Sequence, residues 1–132
     1  MANIVQFSEA SSLGIHAMVI IAKAKTIMNA TTIANMTCAS RNHLAKVMLI
    51  LVKNGYVKSL RGPSGGFLLA KNPTEISLLD IYETIEGKLE ITSCAANNTV
   101  CPFDKCIVDN LVQKVTKEIK TYLSSKTLND YI

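Results

Sequence analysis

The sequence predicts a mainly α-helical protein with a small β-hairpin wing: a winged helix-turn-helix followed by a long C-terminal helix. Three observations predict it. Two short helical patterns lead through a tight turn into a helix whose outward positions are polar. Two short β-prone runs then flank the turn "GPSGG", residues 62–66. Both features lie in residues 10–74, which hold no Asp or Glu but carry Lys23, Lys25, Arg41, Lys46, Lys53, Lys58, Arg61 and Lys71.

Each element has its own signal. Ser8 is placed to cap a first helix, with Phe7 before it as a hydrophobic staple. Leu13, Ala17, Ile20, Ile21 and Ala24 follow at helical spacing. Asn29 and the Thr31-Thr32 pair interrupt that pattern, and a short second helix fits residues 32–36 with Ile33 and Met36 inward. "TCAS", residues 37–40, reads as a tight connection in which Cys38 is a small buried residue and Ser40 an N-cap. Leu44, Val47, Met48 and Leu51 fall at i, i+3, i+4 and i+7, an amphipathic stripe. At about 100° per residue, Asn42, Ala45, Lys46, Leu49 and Lys53 point away from it. Asn54-Gly55 stops this helix, with Gly55 suited to the left-handed C′ position.

Residues 56–61 and 67–70 are the strand candidates. Ser77 with Asp80 makes an acidic variant of the capping box, opening a helix with Leu78, Ile81, Tyr82 and Ile85 inward and Gly87 at its close. The last helix is expected over residues 104–124, on Val108, Leu111, Val112, Val115, Ile119, Tyr122 and Leu123. The organisation that follows is a winged helix-turn-helix over 1–90, a cysteine loop over 91–106, and the long helix and tail over 104–132.

The chain has 132 residues, 48% of them hydrophobic, enough for one packed domain. The apolar run at 17–22 is too short to span a bilayer and ends at Lys23, and no basic stretch precedes an apolar one, so a cytoplasmic protein without membrane contact is expected. No nucleophile–base motif, phosphate loop or paired carboxylates point to an enzyme, and His16 and His43 are the only histidines.

The net charge of +4 is unevenly spread. The basic half is followed by Glu75, Asp80, Glu83, Glu86 and Glu90, with Lys88 the one base among them. A basic half beside an acidic segment suggests a polyanion partner, the plain alternative being a solvated basic face. In a winged helix-turn-helix that polyanion is double-stranded DNA. The helix that begins after Ser40 fits the major groove, where Asn42 matches an adenine edge and Lys46 reaches guanine or phosphate. Arg41 and His43 flank them. In the wing, Arg61 suits the narrow minor groove, and Ser64 and Gly65 belong to a glycine turn that lets backbone approach a phosphate. Lys58 and Lys71 suit phosphates. Singly, each is more plainly a cap, a solvated lysine or an idle turn. Their coincidence in one acid-free span favours DNA.

Cys94, Cys101 and Cys106 crowd into "SCAANNTVCPFDKC", spaced C-x6-C-x4-C. Free cysteines are usually buried, and this segment is polar. Cys106, taken as the start of the final helix, would gain thiolate character from the helix dipole and Lys105. Three thiolates are one short of a closed all-cysteine site. The spacing alone allows a metal or cluster, zinc included, or a thiol switch that forms a disulfide.

Residues 43–87, "HLAKVMLILVKNGYVKSLRGPSGGFLLAKNPTEISLLDIYETIEG", closely resemble the Rrf-two family of bacterial transcriptional regulators, the family of IscR and NsrR. "SLRGPSGGFLLA" followed by "ISLLDI" carries most of the likeness, which extends to the cysteine loop and to "TLND", residues 127–130. The resemblance implies a homodimer joined by its last long helix and bound to a palindromic operator. It implies an iron–sulfur cluster, two-iron or four-iron, held by Cys94, Cys101 and Cys106. The fourth ligand varies in the family and can come from the partner's first helix, where this chain offers Glu9, Ser12 and His16. Ser12 stands where NsrR-type members have Asp; His16, one turn later, is the better ligand by chemistry. The expected function is a repressor sensing nitric oxide, redox state or iron–sulfur supply. A cluster-free thiol-switch regulator and a zinc-stabilised interaction domain are the alternatives. The chain departs from the family at His43, often Tyr there, and at Ala45, Glu in IscR-type members. Ala45 accepts no hydrogen bond from cytosine, so the operator sequence does not carry over.

Overall fold

The computed structural model describes residues 7–91 and 102–132. Among them are five α-helices and one two-stranded antiparallel sheet.

Helix α1 spans Glu9–Ala24, and the Ser8 hydroxyl accepts the Ser11 N–H at 3.1 Å, supplying the expected cap. Leu13, Ala17, Met18, Ile21 and Ala22 form its buried face. Gly14 lies where α1 crosses the later helix α4 (Leu78–Glu86), and a Cβ there would collide with Ile85. Phe7 packs against the Tyr82 ring, centroids 5.3 Å apart and planes tilted by 59°, so it ties the chain entry to α4 rather than stapling α1 to itself.

Helix α2 spans Ala30–Thr37, longer at its start than the sequence suggested, because the Asn29 side chain accepts the Thr31 N–H at 2.7 Å. Ile33 is buried as expected, but Met36 is 60% exposed. The buried arc is centred on Ile33, Ala34 and Thr37, which leaves Met36 about 110° away. Cys38 is also exposed rather than buried. It is the left-handed C-cap, φ 55°, and its N–H bonds back to Ala34 and Asn35 while the chain turns outward.

Helix α3 spans Arg41–Lys53, capped by Ser40, whose hydroxyl accepts the His43 N–H at 3.1 Å. Leu44, Val47, Met48 and Leu51 are buried, each contributing about 1.5–3 kcal/mol. Gly55 takes the left-handed conformation after it, φ 80°. Strands β1 (Val57–Leu60) and β2 (Gly66–Leu69) pair from Val57–Leu69 to Leu60–Gly66. Met28 adds a single rung on the other edge of β2: its N–H donates to the Phe67 carbonyl at 2.9 Å, and the Phe67 N–H donates to the Met28 carbonyl at 2.8 Å. Gly66, φ 154°, permits this, since a Cβ would collide with the Met28 carbonyl.

Helix α4 begins on a complete capping box: the Ser77 N–H donates to the Asp80 carboxylate at 2.9 Å, and the Asp80 N–H to the Ser77 hydroxyl at 3.0 Å. Helix α5 spans Leu111–Ser125, starting seven residues later than expected. Asp109 and Asn110 are both left-handed, φ 51° and 56°, a conformation these two residue types tolerate but an α-helix cannot propagate. Cys106 therefore precedes the helix by five residues rather than beginning it. Only Leu123 of α5 is buried, against Leu78, Leu79 and Tyr82. The chain then returns: Leu128 is fully buried in the core built by α1 and α3.

Candidate nucleic-acid interface

The helix-turn-helix and the wing set the positions of the candidate residues. Ser40 spends its hydroxyl on the cap of α3. Arg41, Asn42 and Lys46 are exposed on the first turns of α3, with exposed Ala45 and Leu49 beside them. Asn42, Ala45, Lys46 and Leu49 face away from the buried stripe, because a 13-residue helix with one apolar face leaves the other to solvent, and Arg41 flanks that stripe at the first turn. On the wing, Lys58, Arg61 and Ser64 are exposed. Lys71 holds its ammonium 4.8 Å from the centre of the Tyr56 ring, a cation–π contact that fixes it at the base of the hairpin. Among the described residues the one ion pair is Lys114–Asp109 at 2.8 Å, both exposed on α5 and its approach. There the Lys114 hydrogen bond holds the Asp109 carboxyl below its usual range. None of the basic residues of α3 or the wing takes part in an ion pair among the described residues, so their donors are available to an anion.

Gly65 and His43 are placed differently from the rest. A Cβ at Gly65 would run into the Leu60 carbonyl, and the Gly65 N–H closes the wing turn onto Gly62 at 2.9 Å. Gly65 is thus required by the hairpin itself, whatever it touches beyond it. His43 is half-buried and faces away from the outward positions, lining an open groove of about 1030 Å3 between α1 and the helix-turn-helix connection. Met36, Cys38, Ile15 and His16 share its walls.

His16 is exposed, with Nδ1 2.7 Å from the Ser12 carbonyl. A carbonyl only accepts, so Nδ1 carries the proton of the neutral ring and Nε2 presents a lone pair. A ring held this way leaves Nε2 open to a hydrogen-bond donor or a metal. Cys106 is a half-buried free thiol. Cys94 and Cys101 lie outside the described residues, and among the described residues no three His, Cys, Asp or Glu side chains gather as a metal site. None of the described helices is long and apolar enough to cross a membrane.

Two features of this geometry have no counterpart in the sequence pattern. The Met28 rung leaves no signal because a single paired residue in a loop has no period. The groove leaves none because helical spacing puts Met36 inward and the connection at 37–40 reads Cys38 as a small buried residue.

Comparison with known proteins places the arrangement. The profile of the Rrf2 family, described as iron-dependent transcriptional regulators, matches residues 7–132. The regulator IscR of Pectobacterium atrosepticum is 30% identical over 93 residues, 70% of this chain; the match spans 57% of that relative's length. Among solved structures, CymR of B. subtilis, the global cysteine regulator there, superposes with a TM-score of 0.79 at 26% identity, covering 96% of this chain and 95% of that one. IscR of T. potens superposes with a TM-score of 0.76 at 29% identity, covering 96% and 85%. These relatives are regulators rather than enzymes, and all but the first residues of the chain fall within one family profile. The profile covers residues 7–132 and both structures superpose over 96% of the chain, so the chain is a member of the Rrf2 family of transcriptional regulators.

Proposed function

We propose that the protein is a DNA-binding transcriptional regulator, a homodimeric repressor at a palindromic operator, whose cysteine loop carries an iron–sulfur cluster. The observation that carries the DNA reading is the exposed, ion-pair-free set Arg41, Asn42, Lys46, Lys58 and Arg61 on a capped helix and a tied wing. Asn42 reads a base edge through its amide; Lys46, Lys58 and Lys71 hold phosphates; Arg61 enters the minor groove. Ser40, His43, Ser64 and Gly65 shape these surfaces. The organisation is a winged half to residue 90, a cysteine loop to 106, and a dimer helix with tail to 132. Support for the dimer comes from α5: Leu111 is 52% exposed and Tyr122 56%, on a helix with one strongly apolar face. Two copies joined there would present paired recognition helices to successive major grooves, about 34 Å apart.

For the cofactor, three thiols and an imidazole with its Nε2 free form a donor set that suits iron. Cys94, Cys101 and Cys106 would hold it, with His16 of the second copy as fourth donor. Bound there, a cluster supplies reactivity toward oxidants and nitric oxide. The chain's own contribution is to orient the His16 ring through Ser12 and to join the loop to α5. A second reading, a thiol switch without a cluster, is favoured by the likeness over 96% of the chain to a structure described as a cysteine regulator.

Fluorescence anisotropy with a duplex operator at two salt concentrations tests the first part. Lys46→Ala is expected to weaken binding across sequences and lower the salt slope by about 1, and Asn42→Ala to cost about 1–3 kcal/mol at one base position. Salt-independent binding, or equal behaviour of both variants and wild type, would refute it. Anaerobic iron and sulfide analysis separates cluster from thiol switch: absence of visible iron–sulfur absorption leaves the second reading.

A further inference from the structure

The outward face of α3 carries an apolar patch that the phosphate and amide contacts leave unused. At about 100° per residue, Asn42, Ala45, Lys46, Leu49 and Lys53 fall within an arc of about 100°, opposite Leu44, Val47, Met48 and Leu51. All five are exposed, Leu49 by 53%. A lone exposed leucine is ordinary. The placement of this one is not. Leu49 shares its strip with Ala45 and Asn42, and the three extend along the helix axis over about 10 Å, the rise of about three base pairs. Lys46 and Lys53 border the strip, and no Asp or Glu lies anywhere in residues 10–74. The face thus joins an apolar centre to a cationic border, with one amide at its leading end.

That combination suits the major groove of double-stranded DNA and is selective within it. Guanine, cytosine and adenine present donors and acceptors along that edge; thymine alone adds an apolar group, its C5-methyl. A leucine pressed onto a polar base edge strips water from groups it cannot bond, which costs free energy. Pressed onto the methyl, it buries apolar surface on both sides. Ala45, about one turn nearer the helix start, has no acceptor for the cytosine amino group and is short enough to let a base edge approach the helix.

We infer that Leu49 is a specificity-determining residue that reads a thymine methyl in each half of the operator, with Ala45 making room beside it. Asn42, matched to an adenine edge, then sits at one end of the strip and Leu49, on a thymine, at the other, so both ends of the row select A·T pairs. The inference rests on the DNA reading of α3 proposed above, and adds to it the chemical group that the apolar part of the helix recognises.

The test removes the methyl and nothing else. The full chain selects duplexes from a random pool, and the selected duplex is remade with deoxyuridine in place of each thymine in turn. Fluorescence anisotropy is expected to show a thymine in each half-site whose loss of the methyl weakens binding about fourfold, the worth of one buried methyl-sized group. Leu49→Gln keeps a good helix former of similar length and is expected to treat thymine and deoxyuridine alike at that position. Leu49→Ala repeats the comparison with a smaller side chain. Each comparison sets two duplexes against one protein, so a partly unfolded fraction cancels. A selected site without thymine, no effect of deoxyuridine, or the same effect in both variants as in wild type overturns the inference, while salt-dependent binding still upholds the DNA reading. A lower sedimenting mass of Leu49→Gln overturns it as well, by making this face a contact between copies. Absence of salt-dependent binding by wild type sinks the DNA reading itself, and the inference with it.

Discussion

Two wing-side glycines separate two kinds of backbone demand. At Gly55, φ is 80° and nothing lies within 4 Å of the place a Cβ would take, so Gly55→Ala carries only the left-handed penalty, about 1 kcal/mol. At Gly66 the positive φ coincides with the Met28 carbonyl, so Gly66→Ala must also break the rung to Phe67. A larger loss, about 2–3 kcal/mol, is expected in urea denaturation, and equal losses at both sites would contradict the rung's importance. Tyr82 makes a pH prediction. Burial first, and the neighbouring Glu86 charge second, push its phenol above the ordinary value. The folded chain thus favours the neutral ring. That contribution is complete below about pH 10 and is lost as pH rises through the raised folded value. The urea midpoint of wild type should fall more steeply above pH 10 than that of Tyr82→Phe.

At the scale of elements, α3 was fully legible. Four aliphatic residues on one stripe, a serine before them and Asn-Gly after them all act locally, and the structure uses each as the pattern implies. The α4 capping box was legible for the same reason, and Ser77→Ala should cost about 1 kcal/mol in the same assay, with Leu51→Ala costing about 2–5 kcal/mol. The errors arose where a non-glycine residue turns left-handed. Cys38, Asp109 and Asn110 do so here, and no side-chain pattern announces it. Left-handed Asp109 and Asn110 cut seven residues from the expected α5, and left-handed Cys38 put a thiol outside that was expected inside. Met36 failed differently: i and i+3 share a face only if the buried arc lies between them, and tertiary packing centred it on the other side of Ile33.

For the whole molecule, the winged core is closed on itself while α5 is not. If the exposed face of α5 joins two copies, Leu111→Glu should halve the mass seen by sedimentation at micromolar concentration. It should leave a folded chain, because Leu111 is 52% exposed and lies outside both buried clusters of the described residues. An unchanged mass would move the dimer contact elsewhere. The candidate site was readable as a set of exposed basic and amide groups, since charge and helical period both sit in the sequence. Its aim was not, because that depends on main-chain pairing between distant residues. The rung between Met28 and Phe67 makes the short run at 25–29 a setscrew on the wing. One residue added or removed there would shift the wing turn that carries Arg61 relative to α3 without changing either element's side chains, so on the DNA reading proposed above the spacing of a site could drift while its contacting residues stay constant.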